Sequence, residues 1–187
     1  EHVSQDLRVV ARDMLRFSTN LTAEVLGLQA SGAGSLKASA RAMSQWLGDT
    51  YGMRKAKFVD HSGLGDASQI SAQEMVKALV GAGANSQLRS ILKSIPVRDG
   101  DNKVVQNSAT KVVAKTGTLN FVSALAGYIR TPDGRDLAFA IFMADVPRRR
   151  ALKKSERESP RGSRSWNGRA KRLQSELINR WAVLHGA

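Results

Sequence analysis

The chain has 187 residues, 42% of them hydrophobic, with a formal net charge of +13 and no cysteine. A chain of this length, one domain or a domain and a half, can bury a core without a metal or disulfide staple, and the apolar share excludes disorder. The missing cysteine excludes a disulfide framework, a thiolate zinc site and a cysteine nucleophile. The longest apolar run, Leu137 to Ala144, is eight residues, too short for a spanning helix of about 20 residues. His2, His61 and His185 are scattered, so no histidine metal pair forms. The first residue is Glu and no signal pattern follows, which reads as a processed chain or a fragment.

In chain order, Ser4 is the expected N-cap of a first helix, with Leu7, Val10, Ala11 and Met14 at helical spacing. A second helix is expected from about Thr19 to Ala30. Ser35 opens a third, with Leu36, Ala40, Met43, Leu47 and Tyr51 on one face and Gly52 at its end. Phe58 to Gly65 is extended and turns at Ser62-Gly63. Ser71-Ala72-Gln73-Glu74 is a capping box for a fourth helix, and a fifth runs from Ser86 to Ile95, stopped by Pro96. The period then changes. Strands are expected at Lys111 to Lys115, Phe121 to Arg130 and Leu137 to Val146, with a Thr131-Pro132-Asp133-Gly134 turn before the third. The third strand is nearly all apolar, so it is expected to be central and covered on both faces. Trp166, Ala170, Leu173, Leu177, Trp181 and Leu184 define the inner face of a closing helix. The plan is helices over about 1–95, then an antiparallel meander and a helix over about 100–187. Three strands are few for two apolar faces, which suggests that further strands come from the N-terminal side.

The charge is local. Between Arg148 and Arg172 there are eleven Lys/Arg and two Asp/Glu. Such a segment attracts polyanions, but a solvated, flexible basic loop is its plainer reading.

Two short motifs carry chemistry. Lys115-Thr116-Gly117-Thr118 sits at an expected strand end. Gly lets a substrate lie against the backbone there, and Lys and two hydroxyls project alternately toward an anion. A Lys-Thr-Gly arises by chance in about one chain of this length in fifty; its ordinary role would be a hydroxyl-rich strand end. Ser18-Thr19-Asn20 lies at a helix junction. Composition alone favours Ser18 as a plain N-cap of the next helix, and Ser165-Trp166-Asn167 is a second triplet of the same kind.

Together and in this order, Ser-x-Asn then Lys-Thr-Gly, the motifs resemble the penicillin-binding protein and serine β-lactamase superfamily. Met14 to Glu24, Asp60-His61-Ser62-Gly63-Leu64 (with His61 where Gly is usual), Ala114 to Leu119, Leu125 to Tyr128 and Leu137 to Phe139 narrow the resemblance. They look like the peptidase S13 group, the DacB-type D-alanyl-D-alanine carboxypeptidase/endopeptidases often called penicillin-binding protein 4. The resemblance spans Ser4 to Trp181.

It implies an α+β transpeptidase-like fold, an antiparallel sheet flanked by helices, of which this chain is the C-terminal part. The implied activity is serine-type D-alanyl-D-alanine carboxypeptidase/endopeptidase chemistry on peptidoglycan stem peptides ending in D-Ala-D-Ala. β-Lactam antibiotics are implied as ligands and the periplasm as location. No cofactor, metal or nucleic acid is expected, and a homodimer is admitted. Ser18 would relay a proton to the leaving amine, Asn20 would bond the stem-peptide amide, and Lys115 would attract the terminal carboxylate. Thr116 and Thr118 would hold that carboxylate across Gly117, and the Thr118 amide would be one arm of the oxyanion hole. The S-x-x-K nucleophile is missing: Ser90 to Lys93 and Ser108 to Lys111 match its spacing but fall between the two motifs, in the wrong order. The nucleophile is therefore expected upstream of Glu1. The other readings are a β-lactamase, a non-catalytic penicillin-binding homologue and a basic polyanion-binding module.

Overall fold

The structure, a computed structural model, describes residues 3–156 and 158–186, and of Lys154 only the backbone. The chain divides into two compact units, 1–93 and 94–187. No helix among the described residues is long and apolar enough to cross a membrane.

The first unit is helical: α1 (Leu7–Phe17), α2 (Asn20–Ser31), α3 (Leu36–Tyr51), α4 (Ala72–Ala82) and α5 (Gln87–Ile91). Asp6, not Ser4, caps α1, accepting from the Arg8 amide at 2.7 Å. A carboxylate one residue before the helix satisfies an orphan amide and faces the positive end of the dipole. Ser35 caps α3, and Gly52 ends it in the left-handed region. The capping box of α4 closes on one side only. Ser71 accepts from the Glu74 amide, but the buried Glu74 carboxylate bonds the Lys55 amide at 2.7 Å. It is recruited to fix the preceding loop. The fifth helix is shorter than its sequence pattern suggests and ends at Ile91. Ile95 precedes a proline and is biased to extended backbone, and its amide is taken by the Val112 carbonyl at 2.9 Å.

The sheet has four strands in the order β1 (Lys93–Ser94), β2 (Lys111–Leu119), β3 (Val122–Arg130) and β4 (Asp136–Ala144), one more than the expected meander. β2–β3 and β3–β4 are antiparallel. Among the described strands β3 has a neighbour on each side and is the most buried, while β4, the most apolar, pairs with β3 alone. The Thr131–Gly134 turn forms as its residues require: Gly134 sits at φ 90° and its amide bonds the Thr131 carbonyl at 3.0 Å. The Thr131 hydroxyl is held by Asp133.

After β4 come a short α6 (Val146–Arg150), a 3₁₀ turn (Lys154–Glu156) and the long α7 (Ser163–Leu184). The basic segment is thus mostly ordered secondary structure, where a flexible loop was the plainer expectation. α7 lies on one face of the sheet, where Ile178 and Ala182 pack with Val112, Ala114, Leu125, Ile129, Phe139 and Ile141. Its buried line is Ser163, Ala170, Gln174, Ile178 and Ala182. Leu173 and Leu184 are exposed and Leu177 and Trp181 half-buried, so the expected inner face is rotated. Ala170 and Ala182 let the helix approach the sheet closely, Ile178 fills the core between them, and Leu177 and Trp181 flank the contact line. Gln174 can be buried because its side-chain amide donates to the buried Ser123 hydroxyl at 3.1 Å.

Candidate active site

Lys-Thr-Gly-Thr lies inside β2, not at its end, because the strand runs on to Leu119. Its partners across the ladder are Ala126, Leu125, Ala124 and Ser123. β1 is two residues long and, from the Ile95–Val112 bond beside it, meets only the first part of β2. No strand among the described residues covers the outer edge of Thr116-Gly117-Thr118, and all three residues are exposed. Alternation puts Thr116 and Thr118 on the α7 face with Val112 and Ala114, and Lys115 with Gly117 on the other face. The cation and the two hydroxyls thus flank one open edge from opposite faces. The Lys115 ammonium donates to the Thr116 carbonyl at 2.6 Å.

Two glycines on this hairpin have different reasons. A Cβ at Gly127 would collide with the Val113 carbonyl and the Ala114 backbone, so packing demands glycine there. A Cβ at Gly117 would meet only Ala124 Cβ at 3.4 Å, an ordinary contact, and its φ is not in the left-handed range. Nothing internal requires Gly117. Its missing side chain leaves bare backbone facing outward beside Lys115.

The turn after the motif was not legible in the sequence. Phe121 was expected to begin a strand, but it closes a two-residue turn at φ 59° and is fully buried. A bulky residue in that region is strained by about 1–3 kcal/mol unless its surroundings fix it. Here the Arg148 guanidinium lies 4.4 Å above its ring and Trp166 meets it edge-on, with centroids 6.3 Å apart. The Asn120 side chain accepts from Ser163 Oγ at 2.8 Å, and the Asn120 carbonyl from Arg149 Nη1 at 3.1 Å. Asn167 donates to the Leu119 carbonyl at 3.0 Å. The second Ser-x-Asn triplet is therefore a structural clamp inside α7. All these partners are distant in sequence, so no local pattern announces them.

In the helical unit, Ser18 is not an N-cap. It ends α1 in the left-handed region at φ 55°, its amide bonds the Met14 carbonyl, and Thr19 stands at the N-cap of α2 without a side-chain bond. Asn20 is the first residue of α2 and is exposed. Ser18 and Asn20 thus bracket a sharp corner between two helices. Ser90 donates to the Gln87 carbonyl at 2.7 Å and accepts from Arg8 at 3.0 Å, and Ser108 lies in the loop before β2.

The Asp60–Leu64 segment is a loop organised by two carboxylates. Asp60 accepts from the Gly65 amide at 2.5 Å and from the Gly63 amide at 3.3 Å. Glu24 of α2 accepts from the His61 and Ser62 amides at 2.9–3.2 Å. Partial burial raises the Glu24 pKa, but the Ser62 hydroxyl and the two amides more than offset this and hold it below the ordinary value. His61 Nε2 lies 2.7 Å from Ser39 Oγ. This Ser–His pair is not a nucleophile: Ser39 is fully buried and donates to the Gly27 carbonyl at 2.9 Å. The His61 ring fills the space over Gly27, where any Cβ would overlap it, which explains a glycine in mid-helix.

The helices and antiparallel sheet are those of penicillin-binding proteins and serine β-lactamases. Penicillin binding protein 4 (dacB) from Haemophilus influenzae matches with a TM-score of 0.64 at 20% identity, over 95% of this chain and 41% of that one. The penicillin G acylated Bd3459 predatory endopeptidase of Bdellovibrio bacteriovorus, in complex with an immunity protein, matches with a TM-score of 0.65 at 19% identity, over 98% and 47%. The profile of the D-Ala-D-Ala carboxypeptidase 3 (S13) family matches residues 1–160, and the chain belongs to that family. A D-alanyl-D-alanine carboxypeptidase from Actinomadura sp. (strain R39) is 33% identical over 157 residues, spanning 75% of this chain and 29% of that protein. The chain thus spans less than half the length of each of these relatives.

Proposed function

We propose that this chain supplies the Ser-x-Asn and Lys-Thr-Gly motifs of a serine D-alanyl-D-alanine carboxypeptidase/endopeptidase. The enzyme acts on peptidoglycan stem peptides, outside the cytoplasm, in the periplasm. The carrying observation is Gly117. It is a glycine with no internal cause, on an uncovered strand edge, flanked by Lys115, Thr116 and Thr118. An extended peptide added along that edge gains main-chain bonds and meets a cation for its terminal carboxylate. S13 membership supports the chemistry.

In this reading Lys115 draws the carboxylate in and disfavours protonation of the catalytic lysine. Thr116 and Thr118 bond the carboxylate, and the Thr118 amide stabilises the oxyanion. Ser18 passes a proton to the leaving amine and Asn20 orients the stem-peptide amide. The acylated serine and its lysine belong to an S-x-x-K segment outside these 187 residues.

Fluorescent penicillin is the test, because its strained amide mimics the acyl-D-Ala-D-Ala bond. A polypeptide extended upstream through a family S-x-x-K segment should be acylated, and the 187 residues alone should not. Lys115→Ala in the extended protein should lower the acylation rate by about a hundredfold or more with an unchanged melting temperature. Labelling of the short chain at Ser90 or Ser108 overturns the assignment, as does a Lys115→Ala variant that acylates normally.

A further inference from the structure

We propose that the excursion between β4 and the middle of α7 is a docking surface for a flexible, base-free polyphosphodiester of the cell envelope. The cations that carry it are Arg150, Lys153, Arg161, Arg164 and Lys171. The choice of an envelope polymer rests on the S13 reading above; the surface itself does not.

The structure sorts the basic residues into two sets. Arg148 stacks on Phe121 and donates to the Arg161 carbonyl at 3.1 Å, and Arg149 donates to the Asn120 carbonyl. Arg169 bonds Ser165, and Arg172 is shared between Glu176 and the Gly100 carbonyl. Arg148 and Arg149 hold the excursion, Arg172 ties α7 to the Gly100 loop, and Arg169 is engaged within α7. The five named cations are exposed and have no partner among the described residues. Nearby Glu156 spends its carboxylate on the Lys153 amide at 3.0 Å.

The excursion is also pinned. The Asp145 side chain caps α6, Pro160 is buried, and Ser163 is tied to Asn120. Arg148 brings the end of α6 to Arg161, and a cleft of about 340 Å³ between them is lined by Phe121, Leu152, Ser155 and Pro160. Arg164 and Lys171, two turns apart, extend the charge along one flank of α7. Like charges on one platform repel and destabilise the fold, and among the described residues no hydrogen bond or ion pair of these side chains offsets that. A polyanion removes that repulsion.

The partner's chemistry follows from what the surface lacks. Trp166 is the one aromatic residue from Arg148 to Arg172, and it is half-buried against Phe121. No ring is free to stack on a base, which disfavours single-stranded nucleic acid. Three of the five cations are arginines, whose planar fork suits the paired oxygens of a phosphodiester.

The test uses this chain with poly(glycerol phosphate), and a twenty-residue oligothymidylate as the competing class. With five contacts, the apparent Kd for poly(glycerol phosphate) should weaken about a hundredfold or more from 50 to 200 mM salt. The combined variant Arg150→Gln, Lys153→Gln, Arg161→Gln, Arg164→Gln and Lys171→Gln should bind at least about tenfold more weakly at low salt. It should lose most of the salt dependence and melt no lower than the parent. Arg150→Gln and Arg161→Gln singly should each reduce the log–log salt slope by about 0.7–0.9, which keeps the test open if the combined variant misfolds. A combined variant that binds like the parent, or single variants with unchanged slopes, overturns the surface. Oligothymidylate binding tenfold tighter than poly(glycerol phosphate) overturns the partner. Penicillin acylation reads the S13 assignment separately, so failure of either idea is recognisable by itself.

Discussion

The two halves of the β2–β3 hairpin answer to different demands. At its root, Val112, Ala114, Gly127 and Ile129 are buried, and each is explained by a neighbour: Gly127 by the Val113 carbonyl, the others by Ile178 and Ala182 of α7. Toward the tip, Lys115 to Thr118 are half-buried or exposed, and Gly117 has no internal reason to be glycine. The tip is nevertheless held firmly, by Asn120, Ser163, Asn167 and the strained Phe121 just beyond it. An exposed segment held by buried contacts just beyond it has the rigidity that the proposed site would require.

Substitution separates the halves. The largest expected effect is Gly127→Ala, which must shift backbone and should destabilise the sheet unit by about 3 kcal/mol, read by denaturant unfolding. Gly117→Ala should cost less than about 0.5 kcal/mol but should abolish acylation in an extended enzyme. Equal destabilisation at both positions breaks the comparison. Gln174→Ala removes the amide that donates to the buried Ser123 hydroxyl and should cost about 1–3 kcal/mol, with a lower chemical-unfolding midpoint.

Ser18 extends the comparison to the helical unit. A non-glycine at φ 55° is strained, so Ser18→Gly relieves strain while removing the side chain's own interaction, and stability should change by no more than about 1 kcal/mol while acylation falls. A larger loss of stability would make Ser18 a structural residue. The smallest expected effect is that of Glu24, whose carboxylate the fold does use. Its folded pKa lies below the ordinary Glu value, so its contribution is present above that value and is lost as pH falls through the folded one. Melting temperatures of Glu24→Gln and parent should therefore converge as pH drops below about 4.5.

Much was legible in order along the chain. Helical spacing, Gly52 and the Thr131–Gly134 turn placed most elements, because caps and turns depend on residues within four positions. Ser-x-Asn and Lys-Thr-Gly were legible as motifs for the same reason. Misreadings occurred where a distant residue intervened. Ile95 left its helix for Val112, Glu74 left its capping box for Lys55, and Phe121 left its strand for a strained turn under Arg148 and Trp166.

Sequence by itself determined the family, the change from helical to strand periodicity near residue 95, and the location of the excess charge, since each is written in residue type and spacing. Only the tertiary structure decided that α7 buries Ala170, Gln174, Ile178 and Ala182 and leaves Leu173 exposed, that Gly117 and Gly127 differ, and which arginines hold the fold. Those facts depend on which atoms lie within a few ångströms of one another across long stretches of chain, and a local pattern carries no record of that.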